Sequence, residues 1–361
     1  MTGRVSRLTV EGFRSIRGLE IVFGDVNLIT GANGCGKSNL FNAFKLVKSA
    51  MEGRLVEAIA SEGGLESIMW AGPRDKGPVR LKISIVADPF EYSLELGLRP
   101  ASEFPLFPLD PQIKSEIVKL AGKVMVDRKT SLVRMWNLEG QPHLRTDLVD
   151  SESIFSQIGD PQHYHFLYSL RELVGRWIFY HEFRTDGSSP LRRPAMPTYS
   201  IRLKEDGSNL GPFLFVVRAR GEWERLEQLL TTSLPGSKLV PFRDSIQVET
   251  DGLYRSMGAN EISDGTLKFL FLSAACFAIH PAPLLAFNEP EASLNPSLYE
   301  PLADMLSRAA ESSQLWITTH SEALSKALVD RLDCKPIRLD KVDGETTREK
   351  RSLRHGWSSE E

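Results

Sequence analysis

The order of apolar and polar positions predicts most of the elements directly. Val5 to Val10 alternates with polar residues such as Arg7 and Thr9, as a half-buried strand does. Gly12-Phe13-Arg14-Ser15-Ile16 then reads as a turn and Gly18 to Phe23 as a second strand, together an antiparallel pair. A short apolar strand, Asp25 to Thr30, precedes Gly31-Ala32-Asn33-Gly34-Cys35-Gly36-Lys37-Ser38, and Asn39 to Val47 follows with helical spacing. Further on, the pattern predicts a helix over 55–61 and strands over Val79–Ala87 and Tyr92–Leu98. Pro100 to Pro111 reads as a linker. Between Gln112 and Pro197 the patterns are mixed. They predict helices over Gln112–Ala121 and Tyr164–Val174, a hairpin over Ser131–His143 and an aromatic strand at Trp177-Ile178-Phe179-Tyr180.

From Glu205 the periodicity sharpens. Asp206-Gly207-Ser208-Asn209 can cap a helix running to Arg218, and a second helix covers Glu222–Thr231. Strands over Leu239–Thr250 and Gly252–Met257 follow, then a helix from Leu267 to Ile279 ended by Pro281 and Pro283. Leu284-Leu285-Ala286-Phe287 is a continuous apolar run, the mark of a strand buried on both faces. A helix over Ser297–Ala310, a strand over Leu315–Thr319 and a helix over Glu322–Asp330 complete a strand–helix alternation that predicts a parallel sheet. Lys341 to Glu361 reads as a solvated polar tail, its basic residues diluted by glutamates.

The stretch from Gly31 to Ser38 has the spacing G-x-x-x-x-G-K-S, a P-loop, in the strand–loop–helix context that the motif needs. Its glycines let several N–H groups converge on one phosphate chain, and the helix it opens favours anions at its start. Lys37 supplies a point charge for the β- and γ-phosphates, and Ser38 a hydroxyl for Mg²⁺.

Bulk properties narrow the class without adding to the chemistry. Hydrophobic content of 41% and charged content of 25% are those of a globular chain of one large or two ordinary domains. A formal charge of −3 gives no global pull toward nucleic acid, so such binding needs a local patch. No apolar run reaches the roughly 18–20 residues that span a bilayer, and the N-terminus lacks a signal-peptide core. Three cysteines at positions 35, 276 and 334 have no metal spacing, and a reducing cytoplasm is the expected compartment.

Four motifs thus follow one another: the P-loop, Ile262-Ser263-Asp264-Gly265-Thr266 opening a helix, a strand ending in Asn288-Glu289-Pro290-Glu291, and a strand ending in Thr318-Thr319-His320-Ser321. In this order they resemble ABC-type ATPases of the SMC, RecF and OLD kind, most of all the compact "AAA family ATPase" proteins without a nuclease domain. The resemblance covers the first hundred residues and about 199–339. It implies an α/β P-loop NTPase fold: an ABC-type head with an antiparallel β subdomain, a central mostly parallel sheet and a mixed α/β insert. The corresponding divisions are 1–100 for the half carrying the P-loop, 101–197 for the insert or lid, 198–340 for the second half and 341–361 for the tail.

Carried over residue by residue, the resemblance implies that Arg14 and Ser15 approach the nucleotide. Asn33, Gly34, Cys35, Gly36, Lys37, Ser38 and Asn39 would hold the phosphates. Ser263, Asp264 and Gly265 match the signature that reaches the γ-phosphate on a second subunit. Glu289 matches the general base and His320 the switch histidine, with Lys37 as the third catalytic residue. Ser38 and Asn288 are the implied metal ligands. Ala292 to Pro296 matches the loop that crosses a dimer seam. ATP and Mg²⁺ are the implied cofactors. The implied partners are a second copy of the chain, a separate effector (nuclease or toxin) and DNA, with no membrane. The implied roles are DNA repair or antiphage defence.

Read without the resemblance, the same residues have blander meanings. His320 could be a strand-end histidine, Glu289 and Glu291 helix-start carboxylates, and Ser263-Asp264 an ordinary N-cap. Phe269, Leu270, Leu272, Ser273 and Phe277 form a core stripe. The run Arg184, Arg192, Arg193, Arg202 and Lys204, interleaved with Phe183 and Tyr199, reads as a solvated, salt-bridged face in preference to a nucleic-acid or partner surface. One departure bears on turnover: Asn288 stands where the family pattern has Asp or Glu, keeping an acceptor oxygen without the charge. A nucleotide-gated regulatory module with little turnover is therefore the alternative to an ATPase that drives a partner. None of the glutamines matches a Q-loop.

Overall fold

The computed structural model describes residues 3–73, 79–100, 110–181 and 184–349. The linker stretch 101–109, Phe183 and the tail from 350 onward lie outside the described residues.

In chain order, β1 (Val5–Phe13), β2 (Ile16–Val22) and β3 (Val26–Thr30) lead through the P-loop into α1 (Lys37–Met51), α2 (Leu55–Ser61) and α3 (Leu65–Ile68). Six strands follow: β4 (Arg80–Ala87), β5 (Phe90–Gly97), β6 (Gln112–Leu120), β7 (Lys123–Lys129), β8 (Leu132–Trp136) and β9 (Pro142–Arg145). Then come α4 (Ile154–Gln157), α5 (His165–Gly175), β10 (Ile178–Tyr180), α6 (Leu210–Arg220), α7 (Trp223–Ser233), β11 (Ser237–Pro241), β12 (Ile246–Thr250) and β13 (Met257–Gly258). The last part holds α8 (Asp264–Cys276), β14 (Leu284–Asn288), α9 (Tyr299–Ala310), β15 (Gln314–Thr319), α10 (Glu322–Leu332), β16 (Ile337–Val342) and β17 (Glu345–Arg348).

The strands make three sheets. The first is antiparallel, in the order β2-β1-β4-β5-β6-β7-β8-β9, so the described part of 112–145 continues the sheet begun by residues 5–22. The second runs β10-β14-β15-β3-β16-β17, parallel from β10 to β16 and closed by the antiparallel β17. The third is the small sheet β11-β12-β13.

The apolar runs at 284–287 and 315–317 are buried on both faces for a visible reason. Ile29, Leu284, Ala286 and Trp316 face one core, shared with α1 and the antiparallel sheet. Leu28, Leu285, Phe287, Leu315 and Ile317 face the other, shared with α6, α8, α9 and α10. Alternate residues of each run thus enter different cores, and within 284–287 and 315–317 no position is left for a polar side chain. Helix α1 lies between the two sheets. Phe44 packs edge-on or tilted against Phe23, Trp177, Phe179 and Trp316, with ring centroids 5.2–5.6 Å apart. Aromatic pairs at such distances add to plain area burial, and here they fix the helix whose first turn carries the P-loop.

Two expectations are corrected. Gln112–Ala121 is strand β6 and not a helix. A bulge at Glu95/Leu96 and inward-facing Ser115 and Glu116 break its alternation, leaving Ile113, Ile117 and Leu120 at spacings that imitate a helix. The residues from Lys341 to Arg348, read as solvated tail, belong to the hairpin β16–β17, whose Thr346 is fully buried against the P-loop.

Candidate functional site

The P-loop backbone is shaped by what covers it. Gly36 sits at φ 105°, and a Cβ there would come within 2.0 Å of the Thr346 hydroxyl. That hydroxyl donates to the Cys35 carbonyl at 2.8 Å and lies 2.7 Å from Ser15 Oγ, which also accepts from Asn39 Nδ2 at 2.8 Å. Ser15 and Asn39, both expected near the nucleotide, meet at the P-loop, and buried Thr346 holds them together. Sequence gave no sign of Thr346, since it lies in a polar hairpin. The N–H groups at the start of α1 have no intrahelical acceptor, and Asn33, Gly34 and Ser38 are exposed there.

Lys37 is buried and turns back on its own loop, donating to the carbonyls of Gly31 at 2.8 Å and Ala32 at 3.1 Å. Its Nζ also lies 3.7 Å from Glu289 Oε1. Glu289 follows the last residue of β14, and its φ of 48° is a left-handed conformation that a non-glycine residue adopts only when its surroundings impose it. Its N–H is fixed to Thr318, by the carbonyl at 3.0 Å and the hydroxyl at 3.2 Å. The Thr318 hydroxyl in turn donates to Asn288 Oδ1 at 2.6 Å. His320 Nδ1 stands 3.6 Å from Glu289 Oε1 and 3.5 Å from Glu291 Oε1. Lys37, Asn288, Glu289 and His320 therefore converge at the carboxyl ends of β3, β14 and β15, where open α/β sheets bind their ligands. A cleft of about 860 Å³, lined among others by Gly31, Ala32, His320, Lys326 and Arg338, opens beside them.

Glu291 is more than a helix-start carboxylate. It is buried, and Oε1 accepts from the Thr319 hydroxyl and from the N–H groups of His320 at 3.1 Å and Ser321 at 3.4 Å, while Oε2 has no hydrogen-bond partner among the described residues. It thereby fixes the backbone that carries His320. Lys268, on α8, donates to the carbonyls of Ala292 at 2.6 Å and Glu289 at 3.4 Å. Burial lowers its pKa to about 8, against the opposing pull of Glu291 and Glu289.

Ser263 caps α8, accepting from Thr266 N–H at 3.2 Å. Asp264 pairs with Arg192, whose other donors reach the carbonyls of Thr185, Ala259 and Ile262 at 2.6–2.9 Å. Arg192 thus ties down the loop before α8, a role that its place in a basic run concealed. Gly265 rests on the backbone beyond Glu289: a Cβ would stand 2.8 Å from the Ser293 carbonyl. Arg14, at φ 47°, is directed away from the cluster; it pairs with Glu62 and reaches the Ser67 carbonyl at 3.4 Å. His181 comes directly after β10, in register beside Asn288, and stacks on Phe41 of α1 at 5.1 Å.

A dication fits the oxygen donors present. Ser38 presents an exposed hydroxyl, and Asn288 Oδ1 accepts a single described hydrogen bond, leaving a lone pair. Among the described residues no group of three or more His, Cys, Asp and Glu side chains could hold a metal by itself, so a cation here would need ligands from elsewhere, as nucleotide phosphates provide.

The fold is that of an ABC-type P-loop NTPase head of the SMC-like kind. The SMC head bound to the C-terminal winged-helix domain of ScpA matches with a TM-score of 0.56 at 18% identity, over 97% of this chain and 98% of that one. The SMC head domain from Thermotoga maritima aligns at 17% identity over 97% and 100% of the two chains, with a TM-score of 0.44. The ScpA-bound Smc head from Pyrococcus furiosus aligns at 16% identity over 96% and 95%, with a TM-score of 0.49. The chain belongs to the family described as "AAA domain, putative AbiEii toxin, Type IV TA system", whose model matches residues 26–326. Among curated proteins no sequence match is found. No described helix is long and apolar enough to cross a membrane.

Proposed function

We propose that this chain binds ATP with Mg²⁺ and hydrolyses it, two copies closing around two nucleotides and thereby driving or gating a partner. The observation that carries this reading is the cluster Lys37–Glu289–His320, with separations of 3.7 and 3.6 Å at the ends of adjacent parallel strands. Residues Asn33 to Asn39 would hold the phosphate chain through the P-loop backbone, Lys37 exchanging the Gly31 and Ala32 carbonyls for phosphate oxygens. Mg²⁺, when bound by Ser38 and Asn288 with the phosphates, supplies charge neutralisation at the leaving group. Glu289 would orient and deprotonate the attacking water, and His320 would sense the γ-phosphate. Ser263 to Gly265 form a second helix start suited to an anion, and in a two-fold pair they would serve the neighbour's nucleotide. Ser15, on the β1–β2 turn beside Asn39, would border the nucleotide held by its own P-loop, and Arg14 would exchange Glu62 for it.

The family's description names a toxin and an antitoxin system, which favours a separate effector protein as the partner; DNA is a second, and DNA repair or antiphage defence the setting. The deciding experiment is light scattering with and without MgATP, alongside phosphate release. A doubling of mass together with steady release is expected. A strict monomer that still binds ATP would overturn the dimer.

Asn288 favours a second reading, a nucleotide-gated module with little turnover. It is buried and already bonded to Thr318, and it brings no charge to the cation. Asn288→Asp keeps the Thr318 bond and adds a carboxylate. Steady-state turnover at limiting Mg²⁺ is expected to rise by about threefold to tenfold, one charge-assisted contact being worth roughly 1 kcal/mol more than a neutral one. Unchanged turnover would show that charge at this position is not limiting.

A further inference from the structure

The buried length of helix α8 holds two polar side chains: Ser273, which donates to the Phe269 carbonyl of its own helix at 2.7 Å, and Lys268, the one charged residue among them, which is 5% exposed. A methionine would fill the same space without the cost of burying an ammonium group. What methionine lacks is the donors, and the acceptors they reach are specific: the carbonyls of Ala292 and of Glu289, the two ends of the turn that follows β14. The Ala292 N–H also donates to the Glu289 carbonyl, at 3.1 Å. Glu289 is thus held from both sides. Its N–H is bound to Thr318 on β15, and its carbonyl to Lys268 on α8, with the strained φ of 48° between. One helical turn earlier on α8, Gly265 lies flat on the Ser293 carbonyl. The same helix begins at Ser263 and Asp264.

We propose that Lys268 is a positioning residue that makes the start of α8 and the Glu289–Ser293 turn move as one body, so that engagement of Ser263 to Gly265 sets the aim of the Glu289 carboxylate. The inference rests on the ATPase reading above and deepens it. An anion gripped at the head of α8 would be reported, through Lys268, to the site at the end of β14 in the same chain. In a two-fold pair that links one nucleotide's grip to the other's hydrolysis.

The test compares wild type, Lys268→Met and Lys268→Arg in phosphate release at varied ATP, together with amide hydrogen exchange over residues 289–294 without nucleotide. Lys268→Met is expected to lower kcat at least about tenfold with KM within about twofold, since misplacing a catalytic group by an ångström costs rate and not binding. Exchange over 289–294 should rise, and Lys268→Arg should retain kcat within about threefold, keeping charge and donors. If Lys268→Met does not fold, Lys268→Gln, one atom too short to span the gap to the Ala292 carbonyl, takes its place. A kcat within about twofold of wild type in the Met or Gln variant, or unchanged exchange, would overturn the proposal. Should wild type itself release no phosphate, the ATPase reading falls, and the exchange data alone still decide whether Lys268 fixes the turn.

Discussion

Replacing Glu289 by glutamine is expected to cut ATP turnover at least about a hundredfold, the range for losing a general base, while ATP binding persists and the nucleotide-bound dimer accumulates. Glu289 faces Lys37 and His320, and Lys37 is occupied by its own loop carbonyls. When a triphosphate draws Lys37 away, the carboxylate loses its nearest cation and becomes free to take a proton from water. Glutamine has the same shape and can keep its place beside Thr318 and His320, but it cannot accept that proton. A different role predicts a different result. If Glu289 served only to balance Lys37 in the resting state, the variant would bind ATP with altered affinity and hydrolyse it at the wild-type kcat. Measuring nucleotide affinity and single-turnover hydrolysis on the same material separates the two, and an unchanged single-turnover rate would remove Glu289 from the chemistry.

The features legible in the sequence were those set by short-range rules. The P-loop, the apolar strands at 284–287 and 315–319, and the cap at Ser263 each depend on residues within a few positions of one another. The resemblance to SMC-like heads followed from their order, and the fold bears it out. What stayed hidden is long-range and polar. Thr346 acts on Cys35 from 311 positions away, and Lys268 acts on Ala292 from 24. Arg192 holds Asp264 across 72 positions from within a run of arginines that looks like solvated surface. Pattern reading assigns a buried cation to the outside, because charge is rarely buried unless its partners are known. The same blind spot misread β6. Its inward Glu116 looks like a helix's polar face until the cation that neutralises it is seen.

That cation is Arg128, and its loss is expected to have the largest effect on stability. Arg128 and Glu116 are both fully buried, 3.0 Å apart. The guanidinium also donates to the carbonyls of Thr130 at 2.6 Å, Glu152 at 2.6 Å and Val149 at 2.7 Å. Glu116 accepts from Tyr92 OH at 2.8 Å, from the Ser153 hydroxyl and from Ile154 N–H at 3.0 Å. The burial of Tyr92 beside Glu116 pushes its phenol pKa well above the ordinary value, so it stays a donor. The network joins β5, β6 and β7 to the loop before α4, and Ile154 and Phe155 beyond that loop pack into the core shared with α1. Arg128→Met would leave a buried carboxylate without its cation and would take a donor from each of three carbonyls, of which Val149 and Glu152 keep Gln157 Nε2. Breaking such a pair from one side costs about 3–5 kcal/mol, read as a lowered urea midpoint. Arg128→Lys should recover less than half of that loss, because an ammonium cannot reach four acceptors arranged around a planar fork. The P-loop and the ends of β14 and β15 make none of these bonds. The folded fraction of either variant should therefore bind MgATP as wild type does, and a loss of affinity equal to the loss of stability would show that the antiparallel sheet shapes the nucleotide site directly.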